Sequence, residues 1–205
     1  MIITLDQIVK DYKLQIKGVL HVGAHVGQEY PDYVRHGIKN IIFFEPVKET
    51  YRKLLEVIGN DPKVQSYNIA LGNETAEREM WIETVNQGMS SSLLEPGTHL
   101  ITYPKITFPT KEKVQVRKLD DIKFPRLNYN MINMDVQGFE LEVLKGSPKT
   151  LDTIDIIYTE INTEEVYKKC ANVRMLDVFL LEFGFVRVLT HMACKSWGDA
   201  LYLKK

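Results

Sequence analysis

The feature that most constrains the fold of this chain is a glycine turn between two short apolar runs. An apolar run at 18–20 leads into a turn that contains Gly23 and Gly27, and a helix is expected at 31–36. A second apolar run begins at Ile41 and ends at Glu45. A strand, a glycine turn, a helix and a strand that ends in an acid are typical of the nucleotide-binding half of a doubly wound α/β fold.

The spacing of the glycines indicates the kind of ligand. A dinucleotide enzyme usually shows G-x-G-x-x-G, because a pyrophosphate must approach the helix N-terminus. Here Gly23 and Gly27 are separated by Ala24, His25 and Val26, so that pattern is absent. S-adenosylmethionine carries no phosphate and needs only room for its methionine part and an acid for its ribose. The turn and Glu45 together favour this cofactor, and a tight turn without a ligand is the alternative.

Length and composition bound the remaining possibilities. The chain has 205 residues, 44% of them apolar and 26% charged, so we expect one domain over 1–205. The net charge is −1 with Lys and Arg scattered, which argues against nucleic acid as a partner. We see no signal peptide and no apolar run of about 18 residues, and expect no membrane insertion. Cys170 and Cys194 lack metal-type spacing, so we expect reduced thiols and a cytoplasmic protein.

Strands alternate with helices along most of the chain, which predicts a mainly parallel sheet with helices on both faces. A short N-terminal helix is expected at 4–13, and the later helices at 48–58, 139–145 and 173–182. The seven predicted strands are 18–22, 41–45, 64–68, 129–134, 154–159, 185–189 and 200–203, the last pair closing the sheet as antiparallel strands.

Residues 85–112 form the least regular part of the sequence, with three serines and several prolines and glycines. So long an irregular connection within a compact domain is usually functional or mobile. We interpret it as a long loop or lid.

Polar residues follow several of the predicted strands at their carboxyl ends. In a parallel sheet these ends meet at one edge, where ligands bind. The residues that this rule brings together are Gly23, Glu45, Asn68, Asp135 and Glu160. This convergence predicts a binding site.

Asp135 and Glu160 are the candidate catalytic residues, and two roles are open. One carboxylate can take a proton from a substrate hydroxyl. Alternatively, Asp135, Glu160 and Asn162 hold Mg²⁺ or Mn²⁺ through oxygen ligands, and the metal acidifies the hydroxyl. A carboxylate that only anchors a loop or the methionine part of the cofactor is the third interpretation.

Other polar residues are candidates for the substrate site. The serines Ser90, Ser91 and Ser92 either belong to a plain loop or bind a polar substrate. His191 follows a predicted strand and either faces the pocket or lies in a surface loop. His25 is interpreted as part of the cofactor wall, with a role as a base as the alternative.

Seven motifs in order make the chain resemble the FkbM-type S-adenosylmethionine-dependent methyltransferases. They are the glycine turn, Phe44-Glu45-Pro46, Asn68-Ile69-Ala70-Leu71-Gly72, Ser91-Ser92-Leu93, Leu119-Asp120-Asp121, Met134-Asp135-Val136-Gln137-Gly138-Phe139-Glu140 and Leu144-Lys145-Gly146. The resemblance covers about 18–190. It implies a Rossmann-like class I methyltransferase fold with one seven-stranded sheet, and O-methylation of hydroxyls on sugars, glycans or polyketides.

The resemblance implies that Gly23, Ala24 and Gly27 line the methionine part of the cofactor, that Glu45 binds the ribose and that 68–71 approaches the adenine. The predicted set of cofactor-contacting residues is His21, Gly23, Ala24, Gly27, Gln28, Glu29, Glu45, Pro46, Asn68, Ala70 and Leu71. Three positions depart from the family pattern. His21 stands where members often have Asp, Asn133 where they often have Lys, and Gln137 where they usually have Glu.

The sequence therefore predicts an S-adenosylmethionine-dependent O-methyltransferase that acts on a hydroxyl of a sugar or glycan. The alternative is a catalytically silent cofactor-binding module of a larger glycan-modifying protein, which the departures at Asn133 and Gln137 support. A nucleic-acid methyltransferase lacks support, because no motif for a flipped base and no basic stripe is present. The sequence leaves the oligomeric state open.

Overall fold

A computed structural model describes residues 2–205 as ten strands and seven α-helices. The helices are α1 (Leu5–Tyr12), α2 (Tyr30–Arg35), α3 (Lys48–Ile58), α4 (His99–Thr102), α5 (Glu140–Lys145), α6 (Pro148–Leu151) and α7 (Val173–Leu181). The strands are β1 (Gly18–Val22), β2 (Asn40–Phe44), β3 (Val64–Tyr67), β4 (Ala70–Leu71), β5 (Ala76–Ile82), β6 (Thr110–Arg117), β7 (Met131–Met134), β8 (Ile156–Asn162), β9 (Phe185–Met192) and β10 (Trp197–Lys204).

Seven strands form the main sheet in the order β3-β2-β1-β7-β8-β10-β9. The pairs β1–β2, β2–β3, β1–β7 and β7–β8 are parallel. Strand β10 runs antiparallel to both β8 and β9. The predicted mainly parallel seven-stranded sheet with an antiparallel C-terminal strand is confirmed.

The central strands of this sheet are buried on both faces, which explains why they are mainly apolar. In β1, Val19 packs in one core cluster with residues of α1, α2 and α3. Leu20 and Val22 of the same strand belong to a second cluster with residues of α5, α6 and α7. Successive side chains of a strand point to opposite faces, so one continuous apolar run supplies both cores.

A second sheet of three strands lies beside the first, in the order β4-β6-β5. The sequence predicts only one sheet. Strand β6 is parallel to the two-residue β4 and antiparallel to β5. The predicted loop at 85–112 is also more ordered than expected, because it contains α4 and the first residues of β6. Bridges from Trp81 to Ser92 and from Pro96 to Tyr167 anchor it.

Several motifs of the sequence have packing roles. Asp120 accepts hydrogen bonds from the backbone N–H groups of Lys149 (2.8 Å) and Thr150 (2.9 Å), and so caps α6. A Cβ atom placed on Gly146 would lie 1.9 Å from the carbonyl oxygen of Gly72, so these two glycines let their loops touch. None of the helices within 2–205 has the length and apolar character needed to cross a bilayer.

Candidate active site

A cavity of about 570 Å³ lies over the carboxyl ends of the main sheet and reaches from β2 to β10. Its volume is in the usual range for small-molecule sites. Twelve of the sequence-predicted site residues line it: His21, Gly23, Gln28, Glu29, Glu45, Pro46, Ala70, Leu71, Ser90, Ser91, Asp135 and Glu160. The structure therefore brings most of the predicted residues together.

The glycine turn follows β1 and contacts the ends of the two neighbouring strands, β2 and β7. The N–H of Gly23 donates to the carbonyl of Phe44 at 3.0 Å. Gly23 has φ +78°, and a Cβ atom there would lie 1.8 Å from the carbonyl oxygen of Asp135. Any other residue at this position would force the ends of β1 and β7 apart, so the turn requires glycine.

Glu45 is buried at the end of β2, with both carboxylate oxygens aimed at backbone. Its Oε2 accepts from the N–H of His25 and its Oε1 from the N–H of Val47, both at 2.9 Å. Burial raises the pKa of Glu45 to about 7, although these two hydrogen bonds act in the opposite direction. Each oxygen keeps a further lone pair, which leaves Glu45 able to accept hydrogen bonds from a ligand.

Three residues predicted to contact the cofactor do not line the cavity: Ala24, Gly27 and Asn68. The side-chain amide of Asn68 donates to the carbonyls of Glu45 and Pro46, both at 2.9 Å. A Cβ atom on Gly27 would lie 2.7 Å from the Leu54 side chain, so Gly27 allows α3 to pack closely. Ala24 is buried, and its N–H donates to the carbonyl of Phe44. These three residues therefore support the walls of the cavity but do not line it.

The two candidate catalytic carboxylates are held by one amide group. Gln137 Nε2 donates to Asp135 Oδ1 at 2.7 Å and to Glu160 Oε2 at 2.8 Å. Burial, followed by the charges of Asp135 and Glu140, raises the pKa of Glu160 well above its ordinary range. Burial thus disfavours the charged form of Glu160, whereas Asp135 is half-buried and more accessible from the cavity.

Gln137 also connects these acids to the lid. It adopts φ +53°, a left-handed conformation that costs a non-glycine residue free energy. Its Oε1 accepts from the Tyr167 hydroxyl at 2.7 Å, and its carbonyl accepts from Ser92 Oγ at 2.7 Å. The hydroxyl of Tyr167 is also 3.0 Å from the carbonyl of Ser90. Gln137, which stands where family members usually have Glu, thus places a neutral donor and acceptor where three chain segments meet.

The departures at 21 and 133 form a buried polar network of their own. His21 and Asn133 are partners in the register of β1 and β7. The Tyr33 hydroxyl lies 3.1 Å from His21 Nδ1 and accepts from Asn133 Nδ2 at 2.6 Å. Burial lowers the pKa of His21, with the charge of Glu29 opposing it, so the imidazole is neutral. The network carries no net charge.

The predicted metal site is not supported. Asn162 is buried but does not line the cavity, and Asp135 and Glu160 already share the amide of Gln137. Within residues 2–205 no three His, Cys, Asp or Glu side chains converge to hold a metal ion.

The predicted substrate residues separate into two groups. Ser90 and Ser91 line the cavity, and the N–H of Glu83 donates to Ser91 Oγ at 3.0 Å. Ser92 lies behind the wall, where its hydroxyl holds the turn at Gln137. His191 is exposed near the end of β9, the edge strand, and does not line the cavity. His25 lines it and lies 2.8 Å, through Nε2, from the carbonyl of Gln87 in the lid.

His99, Tyr103 and Trp197 are among the cavity residues that sequence reasoning missed. His99 and Tyr103 lie in and just after the four-residue α4, which is too short to show a periodic pattern. Trp197 is the first residue of β10.

Comparison with known proteins identifies the family. The profile of the methyltransferase FkbM domain matches residues 21–187. The chain belongs to the FkbM methyltransferase family. The predictions of this family, of the class I methyltransferase fold and of an S-adenosylmethionine-dependent methyltransferase are confirmed.

Individual relatives are distant. The 2-O-methyltransferase NoeI of Sinorhizobium fredii is 25% identical over 176 residues, which cover 82% of this chain and 72% of NoeI. Methyltransferase FkbM from Methylobacillus flagellatus has a TM-score of 0.61 at 15% identity, and the match covers 91% of this chain but 43% of that one. This chain therefore spans less than half the length of the Methylobacillus protein.

A second similar structure contains the cofactor. Sp1610 of Streptococcus pneumoniae, provisionally described as a tRNA (m1A22) methyltransferase, was solved in complex with S-adenosyl-L-methionine. It has a TM-score of 0.54 at 16% identity, and the match covers 100% of this chain and 73% of Sp1610. At such identities the likeness to solved structures concerns the fold alone.

Proposed function

We propose that this chain transfers a methyl group from S-adenosylmethionine to a hydroxyl oxygen of a sugar or glycan. One observation carries the proposal. A single cavity joins a site suited to an adenosine, around Glu45, to a pair of carboxylates at the ends of adjacent strands, Asp135 and Glu160. The similarity to NoeI, a 2-O-methyltransferase, supports oxygen as the acceptor atom.

The residues around Glu45 fit the cofactor. The carboxylate of Glu45 is placed to accept hydrogen bonds from ribose hydroxyls, and Val47, Ile69 and Leu71 supply an apolar wall for the adenine ring. Glu29, beside the glycine turn, provides a negative charge for the amino group of the methionine part. When bound, S-adenosylmethionine supplies the electrophilic methyl group.

The carboxylate pair is suited to removing a proton from the acceptor. We assign Asp135 the role of orienting the hydroxyl and taking its proton during methyl transfer. Burial and the charge of Asp135 raise the pKa of Glu160, which favours its neutral form. Gln137 holds the two carboxyl groups in one geometry through its amide.

The charge of the cavity favours a neutral acceptor. Within residues 2–205 its lining includes four acids, Glu29, Glu45, Asp135 and Glu160, but no Lys or Arg. A phosphate group placed there would be repelled by the acids and would lack a cationic partner. This supports an uncharged sugar hydroxyl as the acceptor and argues against a nucleic acid backbone in the cavity.

The alternative is a catalytically silent cofactor-binding module. Its support is the set of positions at which this sequence differs from the family pattern. Because His21 and Asn133 are register partners, the Asp and Lys common in the family would be neighbours across β1 and β7. Here both members of that pair differ together, and Tyr33 joins the two replacements by hydrogen bonds. A coordinated replacement that keeps the site neutral is compatible with an active enzyme.

The test is methyl transfer from S-adenosylmethionine to a panel of methyl glycosides, followed by mass spectrometry, with calorimetry of S-adenosylhomocysteine in parallel. We expect transfer by the wild type. Asp135→Asn should lower turnover about 100-fold or more while its affinity for S-adenosylhomocysteine changes little. The control is Asp152→Asn, an exposed acid away from the cavity, which should be fully active.

Binding of S-adenosylhomocysteine without transfer to any glycoside would favour the module over the enzyme. Normal turnover by Asp135→Asn would remove Asp135 from the reaction.

A further inference from the structure

The cavity extends well beyond the part that the cofactor needs. The cofactor residues come from the ends of β1 and β2 and from β4, whereas Glu160 and Trp197 belong to β8 and β10 on the other side of Asp135. Strands in a sheet are about 4.8 Å apart, so two strand widths, about 10 Å, separate β7 from β10. This half of the cavity has room for a ring-sized group next to the carboxylate pair.

The far wall of this half is aromatic and held in place. Trp197 Nε1 donates to the Tyr103 hydroxyl at 2.9 Å, which ties β10 to the lid. The His99 ring lies 5.2 Å from the Tyr103 ring and 5.5 Å from the Tyr167 ring, measured between centroids. Trp197 and Tyr103 are only half-buried, so part of each ring faces the cavity. Rigid aromatic faces of this kind bind the apolar face of a flat ligand.

His99 adds a polar group to this wall. It lines the cavity and is 5% exposed. Its Nδ1 has no hydrogen-bond partner among residues 2–205. Burial lowers the pKa of His99, against the charge of Glu83, so the ring is neutral and offers one donor and one acceptor. A neutral imidazole that lines the cavity is able to hydrogen-bond to a ligand hydroxyl.

The same wall is connected to the reacting carboxylates. Tyr167 packs on His99 and donates to Gln137 Oε1, and Gln137 in turn donates to Asp135 Oδ1. Through this chain of contacts the aromatic wall keeps a set position relative to the proposed base. A group stacked on the wall would present its hydroxyls towards Asp135.

We propose that His99, Tyr103 and Trp197 form an acceptor subsite for a neutral pyranose ring. The ring stacks on Trp197 and Tyr103, and one of its hydroxyls bonds to the imidazole of His99. A second hydroxyl is then directed to Asp135. This inference rests on the proposed function and specifies where its acceptor binds.

The test uses the methyl glycoside that the wild type methylates most efficiently. His99→Phe keeps the aromatic packing and removes both nitrogens, so we expect the KM for the glycoside to rise about tenfold, the usual effect of one lost hydrogen bond. The kcat, the affinity for S-adenosylhomocysteine and the melting temperature should change little. Trp197→Leu should raise the KM similarly. The matched control is His36→Phe, a surface histidine bonded to Asp6.

His99→Gln keeps a donor and an acceptor and should recover most of the lost affinity. If His99→Phe does not fold, Trp197 fluorescence provides a second measurement. In Trp81→Phe, Trp197 is the single tryptophan of the chain, and methyl glycosides should change its emission saturably with S-adenosylhomocysteine bound.

An unchanged glycoside KM in both His99→Phe and Trp197→Leu, with methyl transfer intact, would overturn the subsite and leave the proposed function standing. Trp197 emission that does not change with any glycoside would also overturn the subsite. Absence of transfer to any glycoside, despite cofactor binding, would overturn the proposed function and the subsite together.

Discussion

Glu45 should make cofactor binding depend on pH in the neutral range. Its carboxylate accepts hydrogen bonds from His25 and Val47, and burial raises its pKa to about 7. Ribose hydroxyls donate hydrogen bonds. The cofactor should therefore bind more tightly when Glu45 is ionised than when it is protonated. Raising the pH through 7 therefore strengthens binding.

The magnitude follows from the titration. With a pKa of about 7, the ionised fraction of Glu45 is roughly one-tenth at pH 6 and roughly nine-tenths at pH 8. The dissociation constant of S-adenosylhomocysteine should fall about tenfold over this interval. At pH 7, binding should release about half a proton from Glu45.

Isothermal titration calorimetry in buffers of different ionisation enthalpy measures both quantities. Glu45→Gln keeps the shape of the side chain and cannot ionise, so its affinity should be weaker and flat between pH 6 and 8. Equal pH slopes in the wild type and Glu45→Gln would refute the reasoning, because the dependence would then belong to another group.

The same raised pKa has a consequence for stability. A carboxyl group whose pKa rises from 4.5 to about 7 on folding opposes folding increasingly as the pH rises from about 4.5 to about 7. The shift corresponds to about 3 kcal/mol. Glu45→Gln removes this cost, so the difference in unfolding free energy between variant and wild type should grow over that pH range in urea titrations.

Two further predictions concern the scaffold. Asp120→Ala removes the side-chain cap of α6 and should lower the free energy of unfolding by about 1–2 kcal/mol. Urea unfolding measures this loss, and lower turnover per folded molecule would contradict a purely structural role. Gly23→Ala would place a methyl group against the Asp135 carbonyl. It should lower the melting temperature and weaken S-adenosylhomocysteine binding more than tenfold. Unchanged values of both would show that the turn relaxes freely.

The sequence predicts the main sheet well because its central strands are mainly apolar and buried on both faces. The second sheet escapes detection for the opposite reason. Strand β6 alternates charged residues with buried Val114 and Val116, and β4 has only two residues. Short alternating segments such as 78–84 and 114–116 are typical of strands, but the pattern does not show that these strands form a separate sheet.

For the residues of the site, the sequence predicts position better than it predicts the orientation of the side chains. Strand ends place Asn68 and His191 near the correct edge, but sequence does not give the direction of their side chains. The amide of Asn68 turns to backbone carbonyls, and His191 lies on the exposed edge strand β9. His99 went unnoticed because tertiary contacts with Tyr103, Phe108 and Tyr167, rather than local sequence, bury it.

Residues 85–108 are attached to the rest of the protein through polar contacts at several points. Ser92 holds the carbonyl of Gln137, and the hydroxyl of Tyr167 holds the carbonyl of Ser90. The seven-stranded sheet carries the glycine turn and both candidate catalytic acids, and residues 85–108 contribute no strand to it. If the proposed acceptor subsite is correct, substitutions of His99 and Tyr103 in this segment should change acceptor recognition while the sheet stays intact. Grafting the segment from one family member onto another is accordingly a direct route to an enzyme with altered acceptor specificity.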